Sequence, residues 1–127
     1  MSSQEEVGQI TWMDLTVPDA QVIRDFYRDV VGWNCQPVDM GDYEDFNMVS
    51  PQTGKPAAGI CHARGVNAEL PAQWLIYITV DSVEKSVERT VALGGKVLVP
   101  PKSMGNYGMY CVVQDPAGAV AALIEQP

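Results

Sequence analysis

Ile10-Thr11-Trp12-Met13-Asp14-Leu15-Thr16-Val17 is followed by a segment that starts at Asp19 and ends at Gly32; further on, Gln73-Trp74-Leu75-Ile76-Tyr77-Ile78-Thr79-Val80 is followed by a segment from Ser82 to Gly95. Val17 and Val80, Asp19 and Ser82, and Gly32 and Gly95 are each 63 residues apart. Gly54 of Pro51-Gln52-Thr53-Gly54 and Gly118 of Pro116-Ala117-Gly118 are 64 apart, and Ala58-Gly59-Ile60-Cys61 answers to Ala122-Leu123-Ile124-Glu125 at that same offset. An offset held this closely across most of both halves is the mark of an internal duplication.

Each half reads as strand, helix and three strands. Residues 10–17 are rich in β-branched and apolar side chains and stop at Pro18-Asp19. Asp19 is placed to cap a helix whose apolar residues Val22, Ile23, Phe26, Val30 and Val31 recur at helical spacing, and Gly32 supplies a left-handed stop. Short strands are expected at 33–39, 43–49 and 57–62. In the second half Asp81 with Glu84 fits a capping box, with Ser82 as the alternative cap. Val83, Val87, Val91 and Leu93 form the expected buried stripe, and strands follow near 96–99, 107–114 and 119–125. The chain thus reads as one domain over 1–127, with a first module at about 8–63, a linker at 64–72 and a second module at about 73–126.

Composition narrows the function classes. The 127 residues carry 8 basic against 16 acidic side chains, a net charge of −8, which repels phosphate backbones and anionic lipid. Neither a nucleic-acid nor a membrane partner is expected, and no apolar run approaches the roughly 20 residues of a membrane span. Met1-Ser2-Ser3-Gln4-Glu5-Glu6 lacks a signal-peptide core. The three cysteines, Cys35, Cys61 and Cys111, form no C-x-x-C pair and suit reduced thiols in a cytoplasmic protein. His62 is the single histidine, so His-rich metal sites are excluded.

The run Ile10 to Val17, the helix ending Phe26-Tyr27 before Val30-Val31-Gly32-Trp33, and the closing Asp115-Pro116-Ala117-Gly118 to Glu125 resemble the vicinal oxygen chelate superfamily of glyoxalases, extradiol dioxygenases and bleomycin-resistance proteins. The resemblance covers about residues 8–126. It implies an α+β fold of two tandem βαβββ modules whose mixed sheet curls into a cup, helices outside, with the binding site in the cup. It also implies metal-ligand positions, which fall here on Trp12, Cys61, Leu75 and Glu125. Trp and Leu offer a divalent cation no lone pair, so neither a metal nor another cofactor is expected.

Under the family arrangement, strand alternation puts Met13, Leu15, Val17, Ile76, Ile78 and Val80 beneath the helices. Trp12, Asp14, Thr16, Gly59, Cys61, Leu75, Tyr77, Thr79, Ala121, Leu123 and Glu125 then face the cup, with Tyr107 in the bordering turn Gly105-Asn106-Tyr107-Gly108. The expected ligand-binding residues are Trp12, Cys61, Leu75, Tyr77, Tyr107 and Glu125. Four candidates have a plainer reading: Trp12 as filler, Cys61 as a small buried hydrophobe, Asp14 as a hydrogen-bonder to a neighbouring strand or helix cap, Glu125 as a hydrated terminal carboxylate. The favoured function is metal-free binding of a small molecule in the manner of bleomycin-resistance proteins. The alternative is a metal-independent lyase or isomerase with Glu125 or Asp14 as acid or base, and a metal-dependent glyoxalase I stands behind both. By analogy with the family, a homodimer is expected.

Overall fold

The computed structural model describes residues 6–127. The opening Met1–Glu5, on which the signal-peptide reading mainly rests, lies outside them. The elements run β1 (Ile10–Val17), α1 (Ala20–Val31), β2 (Asn34–Asp39), β3 (Glu44–Val49), β4 (Pro56–His62), β5 (Trp74–Thr79), α2 (Val83–Ala92), β6 (Lys96–Ser103), β7 (Met109–Gln114) and β8 (Val120–Glu125), with single 3-10 turns at Gly65–Asn67 and Gly105–Tyr107. This is the twice-repeated βαβββ order read from the sequence. The described chain divides into two compact units: a first unit of Met13–Trp74, and a second of Leu75–Pro127 together with residues 6–12.

In the first unit the strand order is β2-β3-β4-β1, with β1 and β4 parallel and the other pairs antiparallel. The second unit repeats the pattern as β5-β8-β7-β6, with β5 and β8 parallel. In each unit the helix carries the chain across, and the last strand comes to lie parallel to the first.

One face of the first sheet is apolar. Leu15, Val17, Phe46, Met48 and Ile60 pack there with Ala20 of α1, and Ile23, Tyr27, Trp33, Cys35 and Trp74 close the cluster. Tyr27 lies 5.2 Å from Trp74 and 6.0 Å from Trp33, and its hydroxyl accepts the Trp74 indole N–H at 3.1 Å. Met13, expected beneath α1, is instead exposed. The inward side of α1 is Ala20, Ile23 and Tyr27, which leaves Val22, Phe26, Val30 and Val31, apolar residues that recur at helical spacing, each more than half exposed. Asp19 makes no side-chain capping bond, while Gly32 ends the helix at φ +90° with its N–H on the Arg28 carbonyl.

In α2 the cap is Ser82, whose Oγ accepts the Lys85 N–H at 3.2 Å, and not the Asp81–Glu84 box. Only Val83 of the expected stripe is fully buried; Val91 and Leu93 are exposed. The residues one and two turns after Val83 on the sheet side are Ser86 and Thr90, too small and polar to pull the C-terminal half of the helix down onto the strands. The strand expected at 96–99 runs on to Ser103 through Pro100 and Pro101. The second unit's strand order ends at β6, and two register shifts there absorb the missing N–H donors.

Candidate functional site

Paired residues on neighbouring strands share a face, so the registers decide which side chains stand together. In the first unit Gln36 pairs with Asn47, Asn47 with Gly59, and Gly59 with Asp14; Thr16 pairs with Cys61 one row along. This row lies on the face opposite the apolar cluster, and Gly59 brings no side chain between Asn47 and Asp14. Asp14, Thr16 and Asp45 are all buried. Buried carboxylates need partners, and Asp45 has several. Its Oδ1 accepts the His62 main-chain N–H at 2.9 Å and stands 3.2 Å from His62 Nδ1. It also accepts the Cys61 thiol. Burial first, then the charges of Asp14 and Asp45, then that hydrogen bond hold the Cys61 thiol protonated, far above its ordinary range. A thiol so held is not a nucleophile.

In the second unit Tyr77 pairs with Ala122, Ile78 with Leu123 and Thr79 with Ile124. Ile78 and Leu123 stand on the α2 side. Leu75, Tyr77 and Thr79, all buried, occupy the other face, as strand alternation required. With them are Ile124 and its β7 partner Tyr110. The Thr79 Oγ1 is buried and has no hydrogen-bond partner among the described residues.

Glu125 is the main correction. It was expected beside Leu75 and Tyr77, but it stands on the α2 side with Leu123, and its Oε1 accepts the Val83 N–H at 2.9 Å. The cause is a single residue. Asp14 pairs with Gly59 and Tyr77 with Ala122, so Gly59 and Ala122 are the true counterparts, 63 apart rather than 64. Met48 pairs with Ala58 but Val49 with Pro56, so Ala57 is an extra residue bulged out of β4. No such bulge interrupts β8. Past the bulge the counterpart of Cys61 is Ile124, and that of His62 is Glu125. A slip of one residue moves every side chain to the other face, and Ala121 and Leu123 change sides with Glu125. There the carboxylate faces the N-terminus of α2, where unbonded N–H groups favour an anion.

Of the other expected residues, Trp12 lies two residues before Asp14 on β1, partly buried. Tyr107 is largely exposed in the 3-10 turn before Gly108. That turn is held against the end of β8: Gly108 has φ +106°, and a Cβ there would run into the Glu125 carbonyl. Asp45 and Asn47 escaped the sequence reading. Their signal was the one that singled out Asp14, a polar side chain in mid-strand where Asp and Asn are disfavoured.

A metal of the kind the resemblance implies does not suit these residues. Trp12 and Leu75 have no donor atom for it, and Glu125 is turned to α2. Among the described residues no three His, Cys, Asp or Glu side chains are grouped to hold an ion. Nor is any helix among them long and apolar enough to cross a membrane.

A duplicated βαβββ chain with polar groups set into the strand faces away from its helices defines a protein built from two repeated βαβββ modules. Residues 9–123 match the Glyoxalase/Bleomycin resistance protein/Dioxygenase superfamily, and the chain belongs to it. It is 30% identical over 122 residues to a Mycobacterium bovis protein provisionally named glyoxylase CFP32, covering 95% of this chain and 47% of that one. It is 28% identical over 131 residues to the anthracycline biosynthesis protein DnrV of Streptomyces peucetius, covering 91% and 46%. The chain therefore spans about half the length of these curated relatives. The fold is shared with methylmalonyl-CoA epimerase from Mycobacterium tuberculosis, at a TM-score of 0.58 and 15% identity over 100% of this chain and 93% of that one.

Proposed function

We propose that the chain binds a small molecule, without a metal, on the strand faces that point away from the helices. The observation that carries this reading is the Thr79 hydroxyl. It is buried beside Leu75 and Tyr77 with no partner among the described residues, and an orphaned buried hydroxyl costs about 1–3 kcal/mol. An apolar wall with a few unsatisfied polar groups is the usual composition of a ligand site. The polar row of Asp14, Asn47 and Asp45 in the first unit supports the same reading. The enzyme alternative loses support, because the Glu125 carboxylate is engaged by Val83 and Asp14 is left as its one candidate base. Superfamily members act on small molecules, and two relatives are named for anthracycline biosynthesis, so anthracyclines are the first compounds to test. A cytoplasmic homodimer remains part of the proposal; the exposed stripe Val22, Phe26 and Val30 on α1 supports self-association.

The test is Thr79→Val. Removing the orphaned hydroxyl leaves the protein as stable as before or more so, while anthracycline affinity measured by calorimetry falls. Unchanged affinity, or a stoichiometric metal in protein purified without chelators, sinks the reading.

A further inference from the structure

The two repeats are alike in backbone and unlike in what fills the space between helix and sheet. Ala20 and Val83 occupy the same place at the start of their helices, and both are fully buried. Counting on from these anchors, Ile23 corresponds to Ser86, Tyr27 to Thr90 and Trp33 to Lys96. In the first unit the large residues of each pair pack onto the apolar cluster. In the second, their small or charged counterparts leave a groove of about 510 Å³ beneath α2. Its floor is Val80, Val113 and Leu123, and Leu93 stands at its end.

The groove is open to solvent, and its accessible wall is mainly apolar. Of its polar groups, the Thr90 hydroxyl is already spent on the Ser86 carbonyl at 2.7 Å. Among the acidic groups that line it, the Asp115 carboxylate is taken up by the Ala117 and Ala119 N–H groups, and Asp81 is exposed. What remains is an apolar slot between a helix and a sheet, of a volume typical for small ligands. The same slot in the other repeat is filled by a cluster of rings in tilted and edge-to-face contact. On the lip, one turn apart on α2, are Lys85 and Arg89. Neither has an ion-pair partner among the described residues, whereas Arg24, Arg28 and Arg64 of the first unit are all paired. Unpaired cations beside a ring site suit contact with an aromatic face.

We propose that this groove is a second ligand site, which takes a fused-ring aromatic molecule where the first repeat places Tyr27. It lies on the opposite side of the second unit's sheet from Leu75, Tyr77 and Thr79, so it stands or falls separately from the function proposed above. The experiment is an amide ¹H–¹⁵N titration of the whole chain with 2-naphthol, and with its saturated decalin analogue as control. The expected result is saturable shifts at Ser86, Thr90, Val113 and Leu123 with naphthol, weaker with the saturated compound. Thr90→Tyr together with Ser86→Ile, which copies the first repeat into the second, should lower naphthol affinity roughly tenfold or more without lowering Tm. Leu123→Trp fills the groove from the sheet side and gives the same answer should the double variant fail to fold. Shifts confined to Leu75, Tyr77 and Thr79, equal binding of the saturated analogue, or undiminished affinity in the filled variants would overturn the proposal. Thr79→Val leaves the groove untouched, so loss of its effect and loss of groove binding are read independently.

Discussion

Replacing Glu125 by Ala tests the register of β8 and the origin of the α2 cap together. In the structure its carboxylate accepts one main-chain N–H, that of Val83, at 2.9 Å. A hydrogen bond to a charged group contributes about 1.5–3 kcal/mol, and a carboxylate at a helix N-terminus about 0.3–1 kcal/mol. Both figures describe the same contact and overlap. Glu125 is also only partly buried, so water can replace the lost oxygen, and Ser82 still caps the turn. The expected loss is therefore about 1–2 kcal/mol. For a chain of this length that lowers Tm by about 4–8 °C. Glu125→Gln keeps an acceptor oxygen and loses the charge, so it should fall about halfway between. Urea unfolding and calorimetry at fixed pH give the energies. Amide exchange gives the location: Val83 should lose protection while Tyr77 and Ile124 keep theirs. If Glu125→Ala is as stable as the parent and the Val83 amide does not move, the carboxylate is not at α2. The strand would then sit in the 64-residue register, facing Leu75 and Tyr77, and the bulge at Ala57 would not account for the repeat.

The thiols give a pH signature. Burial, partly opposed by a backbone hydrogen bond from Leu123, pushes Cys111 from 9.0 up to about 11. The unfolded chain releases that proton from near its ordinary value and the folded chain holds it. Stability from this thiol is thus complete below about pH 9 and declines as pH rises toward 11; urea midpoints across that range should fall, and fall less in Cys111→Ala. Gly108→Ala is expected to destabilise by several kcal/mol, because the residue needs a left-handed φ and its Cβ meets the Glu125 carbonyl; a Tm within a degree or so of the parent would contradict the placement of the Tyr107 turn. Phe26→Glu should leave Tm nearly unchanged, since the ring lies outside the core, but shift a dimer to monomer by light scattering; an unaltered mass would remove α1 from any self-contact.

The repeat, the ten main elements and the separation of Leu15 and Val17 from Asp14 and Thr16 were legible because they follow from periodicities of 2 and 3.6 and from glycine stops. Two kinds of feature were not. A β-bulge carries no sequence signature in Ala57-Ala58-Gly59, so matching the repeats through the Gly54 and Gly118 turns assigned Glu125 to the wrong face. The second is which part of an apolar helix surface is inward. Val22, Phe26 and Val30 are as hydrophobic as Ile23 and Tyr27, and composition alone could not choose between them. The choice was made by Ala20, small enough to let the helix start close against β1 and β4, and by Tyr27, whose hydroxyl has the Trp74 N–H to satisfy. For Asp45 the type of residue was visible, but its importance was not. It depends on Cys61 and His62, which come 16 and 17 residues later and meet it across β3 and β4.

At matched positions the two repeats have taken opposite chemistry. Asp14 stands where the second repeat has Tyr77, Cys61 where it has Ile124, and Tyr27 where it has Thr90. The first unit therefore joins a helix side filled with rings to a strand face of carboxylates, an amide and a thiol. The second joins an open helix side to a strand face of Leu75, Tyr77, Tyr110 and one unbonded hydroxyl. Had the duplication been kept for symmetry of binding, these pairs would have retained the same kind of side chain. They have instead kept only what the fold requires: the buried Ala20 and Val83 anchors, the glycine stops, and the parallel pairing of first and last strands. It follows that family membership over residues 9–123 establishes the architecture, whereas the chemistry of each face is set by the handful of diverged pairs. Exchanging a pair between repeats, as Thr90→Tyr does, is the direct way to learn which unit recognises what.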